Sequence, residues 1–146
     1  MNEINIYQID DVITKSIAPL LIKVSEEKKK ALIFCPQDAK LKEIDDSLWT
    51  YGRNKFIAHA TLADKELQKF GWQRQPAFLI NREENINEAD YLILTDDASE
   101  GFIAGFARVF YFYESGDLEK VKKFSKKFKK VNSYKKADGK WVKEGL

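Results

Sequence analysis

Cysteine, histidine, methionine and proline are scarce here, with one Cys, one His, one Met and three Pro in 146 residues. Each scarcity closes off some chemistry. Cys35 cannot form an internal disulfide and has no second sulfur with which to build a metal site. It lies inside the β-like run Ala31 to Cys35 and reads as a core thiol. His59 has no nearby candidate for a second metal ligand, which argues against a histidine-based zinc site. A general-base role for it competes with a structural or interface role at a strand end. Long apolar runs are missing as well: Ile17 to Ile22 has six residues and contains Pro19, so nothing reads as a bilayer span or a signal peptide. The expected address is the cytoplasm, with no membrane partner. There is no Gly-x-x-x-x-Gly-Lys loop, and Gly101 with Gly105 lacks the third glycine of a dinucleotide turn. No cofactor is implied.

What is present suffices for a packed globule. Hydrophobic residues make up 44% of the chain and aromatic ones 13%, too much apolar surface for a disordered segment. The length fits one domain, expected to span residues 1–146. Asn5 to Ile9 alternates and reads as a strand. Ile13, Ile17, Leu20, Leu21 and Val24 recur at helical spacing, predicting a helix from about Ser16 that holds Pro19 in its first turn. Ala31 to Cys35 reads as a buried strand stopped by Pro36. Asp38 to Tyr51 reads as a helix with Leu41, Ile44, Leu48 and Trp49 on one side. Phe56 to Ala58, Ala77 to Ile80 and Tyr91 to Leu94 are short apolar runs of the kind found in strands covered on both faces. A short helix within Ser99 to Phe106 leads into a strand from Ala107 to Tyr113. Asp117 to Lys130 predicts a helix with the stripe Leu118, Val121, Phe124 and Phe128, followed by a hairpin around Asp138-Gly139. The expected fold is α/β, a mixed and largely parallel sheet with helices on both faces, Rossmann-like in order but without a nucleotide motif.

Charge is distributed unevenly. Residues 117–146 carry eleven lysines against four acids, while the first 116 residues carry a net charge of −5. Seven of those lysines fall within Asp117 to Lys130, and six of them, Lys122, Lys123, Lys126, Lys127, Lys129 and Lys130, lie opposite the apolar stripe. Like-charge neighbours on a helix cost a few tenths of a kcal/mol per pair, roughly, so an anionic partner would relieve them. Two partners qualify on this ground. One is the phosphate backbone of a single strand, with Phe112, Tyr113, Tyr134 and Trp141 as stacking platforms. The other is an acidic peptide with an apolar anchor. A different reading uses Asp10-Asp11 and Asp96-Asp97, which follow predicted strands where open α/β sheets bind ligands. Such carboxylates could hold Mg²⁺ for phosphate chemistry, although aspartates there also cap helices and solvate loops.

Asp45, Leu48, Trp49, Phe56 and His59 make up an aspartate, a Leu-Trp pair and, after a short spacer, Phe-x-x-His. This pattern resembles the signature of the chi subunit of bacterial DNA polymerase III. The order of the surrounding segments is similar over nearly the whole chain, from Ile6-Tyr7 to a basic segment before a tryptophan-containing end. The resemblance implies a non-catalytic clamp-loader accessory protein. Such a protein captures the acidic, phenylalanine-ending C-terminal tail of single-stranded DNA-binding protein and so reaches DNA indirectly. Matching from Leu118 implies a tail site of Lys123, Lys126, Lys127 and Lys130, with Phe128 or Tyr113 lining the apolar part. The family usually has Ala-Arg-x-Arg-aromatic-Lys where this chain reads Phe124-Ser125-Lys126-Lys127-Phe128-Lys129, and lysine lacks the bidentate fork of arginine. The resemblance also implies a second surface at Trp49, Phe56 and His59 for a psi subunit or a helicase. On the residues alone, Trp49 and Phe56 could equally fill the chain's own core.

Overall fold

The structure, a computed structural model, describes residues 3–51 and 57–145, with only the backbone described at 68–70. Phe56 lies outside the described residues. Three four-residue strands form the middle of the sheet: β2 (Ala31–Phe34), β4 (Ala77–Ile80) and β5 (Tyr91–Leu94). Every residue in them is buried except half-buried Tyr91, because helices cover both sheet faces and no position can afford a polar side chain. Longer strands β1 (Glu3–Ile9) and β6 (Arg108–Glu114) lie beside them. β7 (Lys130–Ala137), β8 (Lys140–Glu144) and the two-residue β3 (Ala60–Thr61) complete the sheet. The order is β3-β4-β2-β5-β6-β1-β7-β8, and every neighbouring pair is parallel except β7 with β8. The expected largely parallel α/β sheet is thus present.

Alternate strand residues point to two separate cores. One face sends Leu32, Phe34, Phe78, Leu92, Val109 and Tyr111 toward α3 (Gln68–Gln73), α4 (Glu100–Ile103) and α5 (Leu118–Ser125). The other sends Ile33, Leu79, Ile93, Phe110 and Phe112 toward α1 (Thr14–Glu26) and α2 (Asp38–Trp49). Helices therefore cover both faces, as the strand-helix alternation predicted. β7 and β8 are joined by Asp138 and Gly139 at φ of 52° and 76°. Two consecutive positive φ values define the tight hairpin turn that matches strand twist, and Asp-Gly supplies them at least strain.

Several boundaries differ from the sequence expectation, each for a local reason. α1 begins at Thr14, so Pro19 sits in its second turn, where it is exposed and its missing N–H is lost from the helical ladder. Ile57 and Ala58 form no strand. The imidazole of His59 binds the carbonyl of Ile57 at 2.7 Å, taking that acceptor away from any ladder, and pairing starts at Ala60 instead. α5 ends at Ser125, well short of Lys130. There the Ser125 hydroxyl donates back to the Lys122 carbonyl at 2.9 Å, and the next backbone bonds, Lys127 N to Phe124 O and Phe128 N to Ser125 O, tighten to i to i−3. Phe128 keeps the buried position that helical spacing gave it, but reaches it from a turn.

Candidate functional site

Shortening α5 rearranges its lysines. Lys123 is exposed on the helix, Lys126 caps its C-terminus, and Lys127 follows in the turn with its Nζ 5.5 Å from the Phe124 ring centroid. Lys130 opens β7, and its Nζ is 4.0 Å from Glu3 Oε1 on the adjacent β1. Beneath this turn Phe128, only 7% exposed, packs against Phe124 with ring centroids 5.8 Å apart. Phe128 also lines a cleft of about 300 Å³ with Ile103, Phe106, Val109 and Glu3. The cleft lies at the N-terminal ends of β1 and β6. Tyr113 lies toward the other end of β6, is 4% exposed and does not line it. Its hydroxyl is pushed above the ordinary tyrosine value, first by burial and then by the charge of Glu144, against a hydrogen bond with Ser133. The structure thus brings Lys126, Lys127 and Phe128 together and separates Tyr113 from the cleft. Ile103, Phe106 and Val109 were not identified as lining residues from sequence. Val109 faces the right side by strand alternation, but the approach of α4 is a tertiary fact without a sequence signal.

The Asp45, Leu48, Trp49 and His59 pattern has a geometric explanation. Asp45 and Trp49 stand four residues apart on α2 and share one helix face. His59 reaches up to that face: Nδ1 meets the Ile57 carbonyl at 2.7 Å, and Nε2 meets Asp45 Oδ1 at 2.8 Å. The Trp49 ring lies 4.2 Å from the imidazole, centroid to centroid, tilted by 40°. Leu48 is buried, whereas Trp49 is 53% exposed, so the Leu-Trp pair divides between core and surface. The core alternative for Trp49 is thereby set aside, while Phe56 lies outside the described residues.

A third feature is a crevice of about 620 Å³ at the C-terminal ends of the strands, between α1, α2 and the loops after β5 and β6. Here Lys120 donates to Asp96, and the Tyr111 hydroxyl donates to Asp97 Oδ1 at 2.7 Å. Burial by itself would raise the Asp96 carboxyl. The Lys120 hydrogen bond, the Asp97 backbone N–H and the charges of Lys120 and Lys40 outweigh it and hold Asp96 below its usual value. Burial chiefly, with Asp97 and Asp96 adding to it, pushes the Tyr111 hydroxyl far up. Asp11 Oδ2 is taken by Lys15 at 2.7 Å, and its Oδ1 accepts from Val12 N. These carboxylates are thus engaged with ammoniums, hydroxyls and amides. Among the described residues, no three His, Cys, Asp or Glu side chains converge as a metal site. Among the described residues, no helix is long and apolar enough to cross a membrane.

The fold and these surfaces define the class as an α/β protein whose one long sheet carries a strand-end crevice and a basic, apolar-backed turn. Residues 1–137 match the family model described as DNA polymerase III chi subunit, HolC, and the chain belongs to that family. It is therefore an accessory subunit of that polymerase, in a family that is itself non-catalytic. No curated protein matches the chain.

Proposed function

We propose that this chain captures the acidic C-terminal tail of single-stranded DNA-binding protein and so tethers the clamp-loader assembly to coated single strands. The observation that supports this best is the cleft lined by Phe128, Phe106, Val109 and Ile103 together with Glu3, since Phe128 directly follows exposed Lys126 and Lys127 in the chain. A volume of about 300 Å³ lies at the lower end of ligand pockets and suits a terminal aromatic side chain with a few backbone atoms. In this reading the exposed ammoniums of Lys123, Lys126 and Lys127 take the aspartates and terminal carboxylate that accompany that ring. Each lysine acts as a point charge, so affinity comes from several weak, salt-sensitive pairs and not from a bidentate fork. Lys130 serves this site indirectly by neutralising Glu3 at the cleft's edge. Tyr113 supports the sheet under α5 without touching the ligand.

The exposed Trp49 ring, held by His59 and Asp45, is the docking point for a second replication partner, a psi subunit or a helicase. The whole chain acts as one domain in the cytoplasm and needs no cofactor of its own.

The test uses oligonucleotide-coated beads loaded with single-stranded DNA-binding protein, either intact or lacking its last residues. Retention of this chain only by the intact protein is expected, and retention should be lost on Lys126→Glu with Lys127→Glu. Equal retention by the truncated protein would refute the proposal.

A further inference from the structure

On the α1 face, half-buried Tyr7, Tyr134 and Trp141 continue a row of rings that starts at buried Phe112. Tyr7 pairs in register with Phe112 of β6 and with Tyr134 of β7. Its ring is 5.0 Å from the Phe112 ring at 14° and 4.8 Å from the Tyr134 ring at 12°. Trp141 folds back from β8 to meet Tyr7 edge-on, 5.0 Å away at 72°. Between this row and α1 lies a groove of about 220 Å³, walled by Tyr7, Phe112 and Trp141 on one side and by Ser16, Pro19 and Lys23 on the other.

Cations surround the rings. Lys136 Nζ lies 4.9 Å from the Trp141 ring centroid, and Arg108 Cζ lies 4.9 Å from that of Phe110. Lys143, cross-strand to Tyr134, shares its face. Two acids also lie here. Glu3 is held 4.0 Å from Lys130, and Glu27 accepts from the Tyr91 hydroxyl.

We infer that this face binds single-stranded nucleic acid, with a base seated in the groove on the Trp141 ring beside the edge of Tyr7 and the flanking phosphates on Lys23 and Lys136. Aromatic surface edged by lysine and arginine is how sequence-independent single-strand sites hold bases and backbone together, because every base has a π-face and every phosphate a charge. A duplex keeps its base faces stacked inside and offers the groove nothing. An acidic peptide satisfies the lysines but leaves most of the ring row uncovered. The groove shares no lining residue with the Phe128 cleft, which opens on the α5 side of the sheet, and Glu3 at the start of β1 lies between the two. It therefore adds a direct strand contact to the indirect one proposed above, and either can fail alone.

The experiment titrates the full chain into a dye-labelled thymidine oligonucleotide of about 16 nucleotides, the upper site size for a small single-strand module, and reads anisotropy at low salt. Saturable binding that weakens as salt rises is expected. Lys23→Glu with Lys136→Glu should weaken it at least tenfold. Lys123→Glu with Lys127→Glu, which changes net charge equally, should alter it less than threefold. Trp141→Phe should retain binding and Trp141→Ala should lose it, with circular dichroism confirming that each variant is folded. The inference is overturned by absence of saturation, or by insensitivity to the Lys23 and Lys136 reversals. Greater sensitivity to the Lys123 and Lys127 pair, or displacement of the oligonucleotide by an equimolar acidic, phenylalanine-ending peptide, overturns it equally.

Discussion

Replacing Phe124 by alanine tests whether the basic turn is held in place by the core beneath it. The Phe124 ring is 4% exposed and meets the Tyr111 ring edge-on at 5.6 Å and the Phe128 ring at 5.8 Å. Deleting a buried phenylalanine costs about 3–5 kcal/mol, made up of lost transfer energy plus a cavity that the surroundings refill only in part. Each aromatic pair adds roughly 0.5–1.5 kcal/mol beyond its buried area, which places Phe124→Ala in the middle or upper part of that range. For a chain of this size, about 2–4 °C of Tm is lost per kcal/mol, so the melting temperature should fall by about 8–20 °C. Phe124→Leu keeps most of the volume and should cost less than about 1.5 kcal/mol. Thermal melts and urea titrations with an unchanged m value are the assay. A fall of less than about 3 °C for Phe124→Ala would show that α5 is not packed on Tyr111, and the placement of the lysines above it would go with that packing.

The Leu48-Trp49 pair predicts a contrast. Leu48→Ala should cost about 2–5 kcal/mol as a core truncation, and Trp49→Ala less than about 1 kcal/mol because half of the ring is already in water. Urea midpoints compare the two, and equal losses would return Trp49 to the core. Because the folded Asp96 carboxyl lies below its unfolded value, its contribution to stability is present above about pH 4 and fades as pH falls through the folded value. The stability gap between wild type and Asp96→Asn should therefore be flat from about pH 5 to pH 8 and close in acid, and a gap that widens below pH 4 contradicts the pairing. Gly139→Ala forces a side chain into φ of 76° and should cost about 1–2 kcal/mol in a thermal melt, whereas Asp138→Gly should be nearly neutral.

The parts of this fold that can be read from sequence are those set by short-range periodicity. Ala77–Ile80 and Tyr91–Leu94 are unbroken apolar runs, and the structure has strands over those same residues. The Asp138-Gly139 hairpin is equally local, since two residues dictate its backbone. Helix length in the basic segment could not be read in this way. Leu118, Val121, Phe124 and Phe128 fit a helix through Lys130. The chain leaves that helix at Ser125 because the serine hydroxyl bonds back to Lys122 and because β7 must start at Lys130 to pair with Glu3. The candidate site shows the same division. Lys126, Lys127 and Phe128 were evident as charge beside an apolar stripe. The cleft depends on Ile103 arriving from α4 and Phe106 from the turn after it, and the ring row on Tyr7 lying in register with Phe112 and Tyr134. Both are long-range pairings that periodicity does not encode. The Asp45, Trp49 and His59 grouping was evident only through family resemblance, as fourteen residues separate the aspartate from the imidazole that binds it.

Isothermal titration of the full chain with a peptide of several aspartates ending in phenylalanine tests the tail-capture reading most directly. The account predicts one saturable site that weakens steeply with salt, loses at least tenfold in affinity, about 1.4 kcal/mol, on Lys123→Glu with Lys127→Glu, and is abolished when the terminal phenylalanine is replaced by alanine. Binding that ignores both changes would contradict it.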